Sequence, residues 1–179
     1  MRLFKRILLA LAVIFVLMQL YRPSRENPAV DQAKTIEQSI AIPQNVEAIL
    51  SRSCNDCHSS KTVWPWYSNI APVSWMLADH VKDGRGEVNF SQWGDYSARR
   101  KRRKFQEICE QVNKGEMPVT SYLWLHPDAK LSPQDRNLIC DWANGEKAKI
   151  PAPAKQALLT KHAHPPYKPP VQHRRVHEF

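Results

Sequence analysis

Two cysteines and a histidine stand as C-x-x-C-H in the run SRSCNDCHSS, at Cys54, Cys57 and His58. Three chemistries use such a set. Zinc takes thiolates and imidazole, but needs a fourth ligand and usually a second ligand pair at matching spacing. Thiol–disulfide exchange uses C-x-x-C, normally in a βαβ setting. Covalent haem uses all three residues: each thiol adds to one vinyl group, and the histidine after the second cysteine becomes an axial ligand of the iron. The other cysteines, Cys109 and Cys140, lie far away and lack zinc-pair spacing. No βαβ pattern accompanies the motif. The residues therefore favour one covalently bound haem c over zinc and over redox exchange.

A haem needs a second axial position filled or left open. Besides Met1 and Met18 the methionines are Met76 and Met117. Met117 lies in Lys114-Gly115-Glu116-Met117-Pro118, a proline-stiffened stretch 59 positions after His58. Its soft thioether suits iron and favours the ferrous state. Without the motif, a loop methionine packed on apolar surface would be the simpler reading. Trp64, Trp66 and Tyr67 follow the motif closely enough to wall a haem or reach its propionates, and ordinary packing is the alternative. His80 falls on a helical apolar stripe, as a core histidine or as a residue of the haem pocket. His126, before Pro127, is expected in a loop with a local hydrogen bond.

The elements that must position these residues are helical. Apolar residues recur at helical spacing in four stretches, and no segment alternates as a strand would. The first runs from about Gln44 to Arg52 and leads into the motif. The second starts near Pro72 and carries Met76 and His80, with Gly84 as its stop. The third covers about Ser97 to Lys114 with Gly115 as C-terminal signal, and the fourth starts with Ser132 and Pro133 and stops at Gly145. The fold class is all-α: a small cytochrome c-like helical domain wrapped around the haem, over residues 44–149.

Before that domain, Arg2, Lys5 and Arg6 precede twelve consecutive apolar residues, Ile7 to Met18. This pattern predicts an export signal retained as a signal-anchor helix over 1–21, with the domain on the periplasmic side of the bacterial inner membrane. A cleaved signal and a soluble periplasmic domain are the alternative. Residues 22–43, with three prolines, are expected to be a polar linker. Residues 150–179, rich in proline and carrying His162, His164, His173 and His177, are expected to be a disordered basic tail. In an oxidising compartment Cys109 and Cys140 can form a disulfide; buried apolar cysteines are the alternative.

The run SCNDCHSSKTVWPWYSNIAPVSWMLADHVKDGRGEVNFSQW, with the later run ICEQVNKGEMPVTSYLWLHPDAKLSPQDRNLICDWANG, resembles the bacterial haem-binding domain family with a single C-x-x-C-H. The resemblance covers about residues 43–146. It implies an exported, monohaem, cytochrome-like domain, with Cys54 and Cys57 as attachment sites, His58 as proximal ligand and Met117 as distal ligand.

Two functions follow from this set. With His58 and Met117 both on iron, no position is open to substrate, and one-electron transfer is the remaining chemistry. With Met117 absent or labile and His80 assisting, a peroxidase-like enzyme or a gas or redox sensor results. The formal charge of +9 favours an acidic redox partner or an anionic surface. The basic run Arg99, Arg100, Lys101, Arg102, Arg103, Lys104 is either a solvated face or part of that docking. Nucleic acid is not expected as a partner of an exported chain.

Overall fold

A computed structural model describes residues 1–152, and their regular elements are helices. These are α1 (Arg2–Met18), α2 (Ile36–Ser39), α3 (Gln44–Ser53), α4 (Asn55–His58), α5 (Val73–Glu87), α6 (Ala98–Lys114), α7 (Thr120–Leu123) and α8 (Pro133–Lys149). Short 3-10 turns fill the joints at Gln32–Lys34, Trp66–Asn69, Phe90–Asp95 and Pro127–Ala129. The all-α class holds among the described residues. The tail expected from residue 150 lies, beyond Ala152, outside them.

The two long helices of the frame start and stop for local reasons. Ser97 caps α6 by accepting the Arg100 amide at 3.3 Å, and Gly115 ends it with φ of 73°, a left-handed turn that glycine adopts without a Cβ penalty. Ser132 and Asp135 form a reciprocal capping box on α8, with Pro133 in its first turn. Two expected stops are corrected. α5 passes through Gly84 to Glu87, and α8 passes through Gly145 to Lys149. Tertiary contacts outweigh the cost of a mid-helix glycine, about 1 kcal/mol relative to alanine.

The core forms where α3, α6, α8 and the Phe90–Asp95 turn converge. Trp93 is completely buried, its ring 4.8 Å from that of Phe105, which in turn meets Trp142 edge-on at 5.5 Å. Val46, Leu50 and Ala143 close around them, and a smaller cluster joins Ile49, Val112, Leu131 and Ile139. A disulfide between Cys109 and Cys140 staples α6 to α8. Closing that loop is worth roughly 3–4 kcal/mol by chain-entropy arithmetic.

The N-terminal quarter differs from expectation twice. Residues 22–43 are not a free linker: Ile36 is 1% exposed within the Trp93 cluster, and Thr35 is buried beside it. Arg25 donates to the Ser68 carbonyl at 3.0 Å, Asn27 to the Thr62 carbonyl at 2.9 Å, and Arg85 to Asn27 Oδ1 at 2.7 Å. These polar side chains bind groups of the domain, a destination composition does not reveal.

The second correction concerns α1. Its 17 residues rise only about 26 Å, against a hydrocarbon core of about 30 Å. Among the described residues no helix is long and apolar enough to cross a membrane. The expected membrane anchor, and the location that depended on it, are therefore overturned. Gln19, just after α1, exchanges two hydrogen bonds with the Ala71 backbone, and Trp75 Nε1 donates to the Tyr21 carbonyl at 3.0 Å.

Candidate functional site

The C-x-x-C-H segment is local by construction. α3 delivers Cys54 at its C-terminal end, and the single turn α4 carries Cys57 and His58 around to the same side. The turn is fixed by short bonds: Ser59 Oγ donates to the Asn55 carbonyl at 2.7 Å and Thr62 Oγ1 to the Asp56 carbonyl at 2.6 Å.

α5 then presses on this turn. Gly84 is the contact point, where an added Cβ would meet the Cys57 carbonyl oxygen at 2.6 Å and Cys57 Cβ at 3.0 Å. Only a glycine lets the helix come that close. The approach has a chemical result. The carbonyl oxygens of Gly84 and Val88 lie 2.9 and 3.2 Å from His58 Nδ1. Carbonyls only accept, so Nδ1 carries the proton and Nε2 is left as the free lone pair, the form in which imidazole ligates a metal. Burial lowers the pKa of His58, against the opposing pull of the two carbonyls, and keeps the ring neutral.

Cys54, Cys57, His58, His80 and Met117 all line one cavity of about 650 Å³. That is within the ~300–1,000 Å³ usual for cofactor pockets. Much of its wall is apolar, supplied by Val88, Phe90, Ile108, Val112, Val119 and Leu131. The acidic groups at its edge include Asp83, Glu87 and Glu107. One buried cation, Lys104, reaches Glu107 at 2.6 Å and Glu87 at 3.1 Å, and that bond holds the Glu87 carboxyl below the ordinary range.

The two thiols are not a redox pair by electrostatics. Burial pushes Cys54 up to about 12, helped by neighbouring Cys57, and pushes Cys57 up to about 11. Exchange-active C-x-x-C cysteines are shifted the other way. Zinc fares no better: among the described residues no three His, Cys, Asp or Glu side chains are gathered for a metal ion. A neutral imidazole with Nε2 free, two unpaired thiols, a thioether and a mostly apolar wall fit a haem held by Cys54, Cys57 and His58.

Other residues fall elsewhere. Trp64, Trp66 and Tyr67 are not among the lining residues. Trp66 is 76% exposed, and Tyr67 instead turns its hydroxyl to His126 Nε2 at 3.3 Å. His126 keeps a local bond from Nδ1 to the Tyr122 carbonyl at 3.1 Å. Half of the basic run is used inside the molecule, while Arg99 and Arg103 stay exposed. Arg102 donates to the Lys147 and Ile150 carbonyls that end α8, Arg100 stacks over Tyr96 at 4.0 Å, and Lys104 is buried.

Four site residues escaped sequence reasoning: Asp56, Gly84, Lys104 and Tyr122. A glycine inside a helical pattern signals close packing, and that signal was available at Gly84. The others carry no pattern of their own.

A family model described as a haem-binding domain matches residues 13–145. No curated protein and no solved structure matches the chain.

Proposed function

The chain belongs to the haem-binding domain family and binds haem, and from that premise we propose a covalent haem-c protein that carries single electrons. Cys54 and Cys57 would attach the porphyrin by thioethers, and His58 and Met117 would hold its iron through imidazole nitrogen and thioether sulfur. Bound in this way, haem supplies a one-electron couple cycling between ferric and ferrous iron. The protein's part is to hold and tune. His58 is oriented by its Nδ1–H bonds to Gly84 and Val88, and the apolar wall around Phe90 excludes water. The thioether of Met117 would raise the potential and leave no room on the iron for a peroxide or gas. The formal charge of +9 suits an acidic redox protein as the electron partner.

One observation supports this most: both thiols, Met117 and a histidine whose Nε2 is left free line the same cavity. The test is a pair of measurements on the purified holoprotein. Acid–acetone extraction leaves the colour with the polypeptide, and the reduced protein is six-coordinate and slow to bind carbon monoxide. Colour passing into the solvent removes the thioether attachment. Rapid carbon monoxide binding removes the carrier reading and favours an open distal site beside His80.

A further inference from the structure

Between Val112 and Ala129 no residue is buried. Met117 lies in this stretch, itself 36% exposed. Loop backbone at Met117 has one bond of its own, from its amide to the Gln111 carbonyl at 3.4 Å. Something other than apolar packing has to keep this segment against the cavity. The tie is Tyr122, five residues on and also a lining residue.

Tyr122 donates its hydroxyl to Asp56 Oδ2 at 2.8 Å. Asp56 stands between the two cysteines of the attachment turn. Its other oxygen, Oδ1, accepts the Val63 amide at 3.0 Å, so the carboxylate is held from behind. The Tyr122 ring is held as well, stacked on His126 at 4.0 Å with 10° between the planes. One tautomer serves all the bonds of that histidine: Nδ1–H donates to the Tyr122 carbonyl, and Nε2 accepts the Tyr67 hydroxyl.

We propose that Tyr122 is the positioning residue for Met117, latching the distal segment to the haem-attachment turn through Asp56. The proposal rests on Met117 being the second axial ligand. A hydrogen bond to a charged acceptor is worth about tenfold or more in an equilibrium. The latch therefore sets how often the thioether leaves the iron, and exogenous ligands bind only in that open fraction.

The experiment compares the covalently loaded holoprotein with its Tyr122→Phe, Asp56→Asn, Tyr122→Phe/Asp56→Asn and Met117→Ala variants. The readouts are carbon monoxide association to the ferrous form and the thioether charge-transfer absorption of the ferric form. Tyr122→Phe is expected to speed carbon monoxide binding about tenfold or more, weaken the ferric band and leave covalent haem content unchanged. Asp56→Asn keeps the shape but loses the charge, and its effect is smaller. The double variant matches Tyr122→Phe alone, because both changes break one bond. Met117→Ala sets the ceiling. A Tyr122→Phe protein that behaves as the unmutated one, or effects that multiply in the double variant, overturns the latch. Should Tyr122→Phe fail to accumulate, an unchanged rate in Asp56→Asn overturns it equally. If Met117→Ala opens the site and the latch variants do not, the ligand reading stands and the latch alone falls. If the unmutated protein already binds as fast as Met117→Ala, both fall.

Discussion

The two sides of the cavity are built by different means. On the side of His58, backbone meets backbone: Gly84 lies against the Cys57 carbonyl, and two carbonyls clasp Nδ1. Ser59 and Ser60, directly after the ligand, are buried. On the side of Met117, a stretch with no buried residue is held by polar contacts, chief among them the Tyr122–Asp56 bond. Attachment chemistry needs fixed atoms, because two thiols and an imidazole must meet one planar group together. A thioether ligand needs only to be near, and its hold sets an equilibrium. On the proposed reading, close backbone packing lies where position matters, and a polar hold where affinity matters.

Changes on the two sides should therefore fail differently. The largest effect is expected from Cys54→Ala with Cys57→Ala, which removes all haem resistant to acid–acetone extraction. Any covalent colour left in that variant breaks the assignment of the fixed side. Gly84→Ala comes next. Its Cβ would sit 2.6 Å from the Cys57 oxygen, so α5 must back away and loosen its hold on His58. Overpacking of this kind costs about 1–3 kcal/mol, measurable as a lower denaturation midpoint together with reduced haem loading.

A smaller effect belongs to Asp135, whose carboxylate completes the α8 capping box by accepting the Ser132 amide at 2.9 Å and pairs with Arg52 of α3 at 2.7 Å. Burial would raise its pKa, but the Ser132 amide and hydroxyl and the Arg52 guanidinium outweigh burial and hold it below the ordinary value. A carboxyl depressed in the folded state stabilises fully above its unfolded pKa, about 3.9. That contribution fades as pH falls through the lower folded value. Asp135→Asn should lose about 0.5–2 kcal/mol at neutral pH and show a flatter acid limb in its stability-against-pH curve. The smallest change in stability is expected from Met117→Ala, within about 0.5 kcal/mol, although the same variant opens the iron to carbon monoxide. A large loss of stability there would erase the contrast between the two sides.

The helical class and the C-x-x-C-H turn were legible because they rest on local rules. Ser97, Gly115, Ser132 and Pro133 announce the ends of α6 and α8, and C-x-x-C-H is a spacing motif. Gly84 and Gly145 misled for the same reason: a local stop signal was overridden by packing that brings distant chain segments together. Met117 and the cysteines share a cavity although they are distant in the chain, and the sequence hints at this only through the Gly-x-Met-Pro stretch. Trp64, Trp66 and Tyr67 looked like haem walls by nearness along the chain. None of the three lines the cavity: Trp66 is exposed, and Tyr67 turns its hydroxyl to His126. α1 is apolar enough to suggest an anchor, but it is too short to span a bilayer.

Arg85 gives the fold a mechanical property. Its guanidinium donates at once to the Ser59 carbonyl (2.8 Å), the Thr62 hydroxyl (2.9 Å), Asn27 Oδ1 (2.7 Å) and the Glu26 carbonyl (3.1 Å). A pull on the chain before residue 26 is thus not absorbed by slack. Alongside the Gln19–Ala71, Tyr21–Trp75 and Arg25–Ser68 bonds, it passes through Arg85 into Ser59, the residue directly after His58, and into the last turn of α5. The N-terminal segment acts as a strap buckled at Arg85, and tension on it loads the C-x-x-C-H turn directly.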